Sequence, residues 1–213
     1  MQLLTDRPRP RFRGRLHRAC FFLSVPAGVV LVLVARGAEA RLAAVVYAIG
    51  VATLYGVSGA YHCGRWTEAA RQRMKRLDHA AIFVMIAGTY TPICLLVLSG
   101  AGAIALLVAV WVAAVAGVIL ALTGIATRPG VGHTMYITIG WLAVLALPEM
   151  VRRLSPASLA LLISGAVLYT VGAFVLALRW PDPSPKVFGY HEVWHVMVVA
   201  ASLCHGVVIY SVV

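Results

Sequence analysis

Hydrophobic residues in this chain fall into long unbroken runs, without the alternation of strands or the one-sided stripes of soluble helices. About 20 apolar residues in α-helix cross the hydrocarbon layer of a bilayer, with ~17 to 25 as the working range. Seven segments fit: Ala19 to Ala35, Leu42 to His62, Asp78 to Leu98, Ala103 to Leu122, Val131 to Pro148, Ala157 to Leu178, and Tyr190 to Val213. Between them stand RGAEAR, RWTEAARQRMKR, SGAG, TRPGVG, PEMVRRLSP and RWPDPSPK, each with charges, glycine or proline that end helices or make turns. The expected fold class is an all-α membrane protein of seven transmembrane helices. No connection is long enough for a further domain, and no repeat is visible beyond the shared helical character. The chain reads as a basic N-terminal segment, residues 1–18, and one seven-helix domain, residues 19–213.

Composition supports the same picture. Hydrophobic residues make up 62% of the 213 and charged residues 12%, against ~25% charged in soluble domains. A net charge of +11 on a hydrophilic domain would point to nucleic acid, but here the basic residues lie between apolar runs and report topology. Lys and Arg gather in the cytoplasmic loops of membrane proteins. A cytoplasmic N-terminus puts Arg7, Arg9, Arg11, Arg13, Arg15, Arg18, Arg65, Arg71, Arg73, Lys75, Arg76, Arg128, Arg179 and Lys186 inside, and only Arg36, Arg41, Arg152 and Arg153 outside. The N-terminus is therefore expected in the cytoplasm and the C-terminus outside. The arginine-rich start, the short first apolar stretch and the triplet Ala38, Glu39, Ala40 also fit a secretory signal peptide, and length alone leaves both readings open. Cys20, Cys63, Cys94 and Cys204 lack any paired spacing, so no disulfide framework is expected.

Topology sets the depth of the polar residues. The second helix ends at His62, the third is expected to start at Asp78, and the seventh starts with His191 and His195, so all four lie at one inner level. His191 and His195 are i, i+4 and share a helical face, suited to one Zn2+ with Zn–N distances of ~2.0 to 2.1 Å. Three neutral imidazoles from His62, His191 and His195 leave a fourth tetrahedral position for a water whose pKa falls toward ~7. Asp78 is then the candidate general base, and Ser58, one turn before His62, a candidate for orienting water or steadying an oxyanion. An ionisable group in a span costs at least ~2.5 to 3.5 kcal/mol, which makes Asp78 a functional candidate.

Each residue also has a plainer reading. Asp78 alone would serve as an N-cap, and a single histidine near a helix end is commonly interfacial, as expected for His17 and His133. His79 points about 100° away from Asp78. His205 lies about 15 Å of helix beyond His195, too deep for the same ion, and reads as a packing or substrate-lining residue. Tyr61, Trp66, Trp180, Tyr190 and Trp194 fit an aromatic belt, and Met85, Tyr90 and Thr91 fit helix packing.

His191 to His195 spell HEVWH, the H-E-x-x-H pattern of zinc proteases. That chemistry needs a third ligand, yet no Asp or Glu follows Glu192, which excludes a downstream carboxylate. Glu192 also points off the ligand face, toward the headgroup region.

SGAYH (Ser58 to His62), LDHAAIFVMIAGTYTP (Leu77 to Pro92) and GYHEVWHVMVVAASLCH (Gly189 to His205) together resemble the three signature blocks of the hemolysin III family, the bacterial branch of the progestin and adipoQ receptor superfamily. The likeness runs from about His17 onward and favours keeping the first helix. The resemblance implies a buried zinc held by His62, His191 and His195, with Ser58 and Asp78 beside it, in the inner membrane of a bacterium. Through the alkaline ceramidases of the superfamily it implies hydrolysis of a lipid amide or ester, with a membrane lipid or fatty acid in the helical cavity and no nucleic acid partner. Glu192 stands where the animal receptors commonly have a neutral residue, and the chain shows no extended N-terminal domain, so receptor function is not carried over. A non-enzymatic signalling protein with structural zinc, and a pore-forming cytolysin, are the alternative classes; no segment has the amphipathic pattern of a pore former.

The charge bias predicts that a reporter fused after Val213 is active only on the outer side of the membrane. Activity in the cytoplasm would overturn this orientation.

Overall fold

The computed structural model describes residues 10–213; Arg7 and Arg9 of the charge count lie outside the described residues. Every long element is a helix: α1 (Arg15–Val34), α2 (Ala38–Cys63), α3 (Glu68–Pro92) continued by a π-turn over Ile93–Val97, α4 (Gly100–Leu122), α5 (Val131–Trp141), a 3₁₀ turn over Leu142–Ala146, α6 (Leu147–Arg153), α7 (Pro156–Leu178) and α8 (Tyr190–Val212). α5, the 3₁₀ turn and α6 together form one span, so the described residues contain seven stretches long and apolar enough to cross a membrane. Leu23, Leu33, Ile104, Leu145 and Leu178 face outward. In water they would make an aggregating surface; in a bilayer they meet lipid.

The third span departs most from expectation. It begins at Glu68, not at Asp78, and the charged connection RWTEAARQRMKR is largely helix. Thr67 caps it by accepting a hydrogen bond from the Ala70 amide at 3.4 Å, Gln72 donates to Glu68 one turn on at 2.8 Å, and Ala, Arg, Gln, Met and Lys all favour helix. Asp78 is therefore an interior helix residue, and its reading as a cap falls. α1 likewise starts at Arg15, ahead of its apolar run.

The fifth span also continues past Pro148, which stands in the first turn of α6, where a missing amide costs nothing. The backbone groups freed by the change of pitch before it are met by one side chain from α3. The Tyr90 hydroxyl accepts from the Ala143 amide at 2.7 Å and lies 3.0 Å from the Ile139 carbonyl and 2.7 Å from that of Gly140, to which it can donate. That pairing lets irregular backbone exist at membrane depth.

Small residues set the spacing between helices. A side chain on Gly88 of α3 would meet the carbonyl of Val46 and the backbone of Gly50 on α2, so these helices touch backbone to backbone. His62 lies twelve residues from Gly50 and Asp78 ten from Gly88, about 18 and 15 Å along antiparallel helices, and the contact brings both to one level. On α7, Gly165 and Gly172 make room for His205 and Trp194 of α8. Fully buried Phe83 of α3 fills a similar notch at Gly117 of α4.

Gly88→Leu should therefore lower stability by about 1 to 3 kcal/mol, seen as a fall in melting temperature in detergent. Gly102→Leu, where an added carbon meets nothing, should be near neutral. Equal melting temperatures for both variants would contradict the close approach.

Candidate metal centre

Two helix ends converge at the N-terminal end of the bundle. His62 sits in the last turn of α2, and His191 and His195 occupy the first two turns of α8. The ring centroids of His191 and His195 are 4.7 Å apart, and the His62 ring lies 4.7 Å from His191 and 5.1 Å from His195. One ring nitrogen of each lies within 4.8 Å of the other two. The Nε2 atoms of His62 and His191 face each other at 3.2 Å. Two nitrogens bound to a tetrahedral ion at ~2.0 to 2.1 Å stand ~3.3 Å apart, so the pair matches one edge of such a site. These three residues can hold a metal ion.

The two other residues singled out in the sequence share this location. Asp78 Oδ2 is 3.9 Å from His62 Nε2, longer than a ligand edge and within ion-pair distance. Ser58 is one turn from His62 and its Oγ lies 2.9 Å from Nδ1 of His17. All five residues line one cavity.

His17 is the residue the sequence reading missed. Expected at the interface, it is only 2% exposed and stacks on His195 with centroids 3.8 Å apart and rings 5° from parallel. Its arginine neighbours, Arg15 and Arg18, made it look like part of a solvated segment. The signal was depth: once α1 is extended back to Arg15, His17 falls at the level of the other histidines.

Glu192 also differs from expectation. It is 3% exposed and turned inward, where it accepts from the Gly189 amide at 2.8 Å and from Arg13 Nε at 2.5 Å. This is the glutamate half of a capping box, reaching back over its own helix start. The carboxylate is thereby engaged in tying the N-terminal segment to α8, and the backbone continues the tie: the amides of Arg11 and Phe12 donate to the carbonyls of Lys186 and Val187, both at 3.1 Å. Gly14, in the left-handed region, packs so closely on His62 that a side chain would collide with it.

The cavity, about 190 Å3, runs from this polar end along Leu54, Ile82, Met85 and Leu176 to His205. His205 lies too deep for the cluster, as expected, with Nε2 3.1 Å from the Leu162 carbonyl. His79 and His133 line the cavity as well. His79 Nδ1 is 3.1 Å from the Tyr136 hydroxyl, so His133, taken as interfacial, and Tyr136, not singled out before, belong to a second polar wall. Trp141 lines the cavity while 44% exposed and donates to Thr170 at 3.1 Å. That pair links α5 to α7, and Trp141 touches both the cavity and the outer, lipid-facing surface.

Fold and centre together define a class: a seven-span membrane protein with a three-histidine cluster, His62 and His195 buried and His191 half-buried, lining an internal cavity. Comparison with known proteins identifies which. The family described as Haemolysin-III related matches residues 5–206, and the chain belongs to that family. It is 32% identical over 189 residues to "Hemolysin-3" of Bacillus cereus, covering 87% of this chain and 83% of that protein. It is 29% identical over 189 residues to "Hemolysin-3 homolog" of Bacillus subtilis (strain 168), covering 87% and 85%.

Glu192→Gln should retain the metal and lose stability, since it leaves the Arg13 charge without its partner; breaking a buried pair this way costs ~3 to 5 kcal/mol at most. Metal analysis and melting curves on the same preparation check this. Full stability with loss of metal would mean that Glu192 serves the cluster directly.

Proposed function

We propose that this chain is a zinc-dependent hydrolase of a membrane lipid amide or ester, working in the inner membrane of a bacterium with its site toward the cytoplasm. The observation that carries the reading is the 3.2 Å spacing of the His62 and His191 Nε2 atoms with Asp78 held 3.9 Å from the same His62 nitrogen. His62, His191 and His195 would hold the ion, and three imidazoles suit zinc among the available divalent metals. When bound, zinc supplies Lewis acidity and lowers the pKa of a coordinated water toward ~7.

The chain's own groups account for the rest. Asp78 stands outside the three-histidine set, hydrogen-bonded by Ser58, and its carboxylate can accept a proton from a water beside His62 and return it to the leaving amine or alcohol. Ser58 presents a hydroxyl to the same cavity, oriented by His17, and can donate to the oxygen of the scissile carbonyl. The apolar walls from Leu54 to Leu176 fit an acyl chain, and the Trp141–Thr170 pair offers an entry from the bilayer. Burial of the polar end keeps competing solvent out.

The test is purified protein assayed for metal and for fatty acid release from ceramides, acyl amides and phospholipids. About one zinc per chain is expected, lost in His191→Ala or His195→Ala and kept in His205→Ala. Asp78→Asn should keep zinc while turnover falls ~10² to 10⁴-fold. Zinc-loaded protein that releases nothing from the panel would favour a signalling protein with structural zinc. The name of the Bacillus cereus relative makes membrane lysis the other outcome to measure; zinc-independent leakage from liposomes would support it and overturn the hydrolase.

A further inference from the structure

The stack between His17 and His195 is the contact at this centre that no ligand, base or cap assignment uses. Its geometry is narrow: centroids 3.8 Å apart and planes 5° from parallel. Imidazole lone pairs lie in the ring plane, so two rings stacked in parallel cannot direct them to one ion at ~2.0 to 2.1 Å. His17 is therefore no fourth ligand. It is also an odd choice for packing alone. Its Nε2 is buried without a protein partner, and a phenylalanine would fill the same space with no polar atom to satisfy. What the histidine adds is Nδ1, 2.9 Å from Ser58 Oγ. That bond sets the rotation of the His17 ring, and the ring in turn presents a flat face against which His195 lies. Ser58 is one turn from His62, so the chain of contacts runs from one proposed ligand helix, through α1, to the other.

We propose that His17 is the positioning residue of the histidine cluster, fixing the plane of His195 by stacking while its own plane is fixed by Ser58. This rests on the reading of His62, His191 and His195 as metal ligands. Groups that orient a ligand typically carry 10- to 100-fold in metal affinity. The arrangement also gives the N-terminal segment a role: Arg13 bonded to Glu192, Gly14 against His62 and His17 on His195 bring three residues of one short stretch against the helices of the site.

The experiment is zinc affinity by chelator competition on purified protein in detergent, with cobalt(II) absorption as a report of ligand geometry and the melting temperature of the metal-free form as a report of folding. His17→Ala, which removes stack and anchor together, should weaken zinc ~10- to 100-fold. His17→Phe keeps a ring of similar size but no bond to Ser58, and Ser58→Ala removes the same bond from the other side. Each should weaken zinc by a smaller factor, and because Ser58 also bonds Asp78, the double variant should lose no more than Ser58→Ala alone, the His17–Ser58 bond being already broken there. His17→Phe should melt at or above the wild-type temperature while its cobalt spectrum shifts, a combination that a packing role would not give. Wild-type affinity and spectrum in all three single variants would overturn the proposal and leave the ligand assignment standing. If wild-type protein holds no metal, or His195→Ala holds as much as wild type, the ligand reading fails and the positioning role fails with it.

Discussion

Polar groups buried at the end of a lipid-facing bundle cannot turn to water, and an unpaired one costs several kcal/mol. This constraint recurs along the protein from its N-terminal end to mid-membrane. Glu192 meets it with Arg13 and the Gly189 amide, Tyr90 meets it for the backbone between α5 and α6, and His17 and His205 meet it at one ring nitrogen each, through Ser58 and the Leu162 carbonyl. The His62, His191 and His195 nitrogens have a different solution open to them. One ring nitrogen of each lies within 4.8 Å of the other two, close enough for one cation to take all three. Within the chain His62 already has His191 and Asp78 beside it, and the three histidines together can hold a metal ion.

Bringing those nitrogens together requires helices that approach more closely than large side chains permit. Gly50 and Gly88 let α2 and α3 touch, which sets His62 against Asp78, and Gly165 and Gly172 seat α8 on α7. In a membrane, where lipid competes evenly for apolar surface, such close packing is what holds helices in register. The N-terminal segment completes the end. It joins α8 through Glu192, bonds the Lys186–Val187 backbone just before it, and packs Gly14 on His62.

Much of this was readable from the sequence because two strong signals were present. Uninterrupted apolar runs fixed the number of spans and their order. Alternating direction along the chain then placed His62, Asp78, His191 and His195 at one depth, and the i, i+4 spacing put the last pair on one face. What failed to show were features decided by side chains that reach across helices. Hydropathy stops at the last apolar residue, so it starts the third span at Asp78 and leaves His17 outside the first, although helix propensity and the Thr67 cap carry the backbone further toward the N-terminus. Glu192 looked solvent-bound because its partner, Arg13, is 179 residues away. Tyr136 carried no pattern at all; only the fold brings it to His79.

The central claim is that three histidines from two distant helices hold one metal ion, with an oxygen in the remaining position. X-ray absorption at the zinc edge of the purified, zinc-loaded protein addresses this directly. The account predicts three imidazole nitrogens and one further oxygen at ~2.0 to 2.1 Å, with the outer scattering of three imidazole rings and no sulfur shell at ~2.3 Å. Two imidazoles or fewer, or a sulfur neighbour from Cys63, would contradict it.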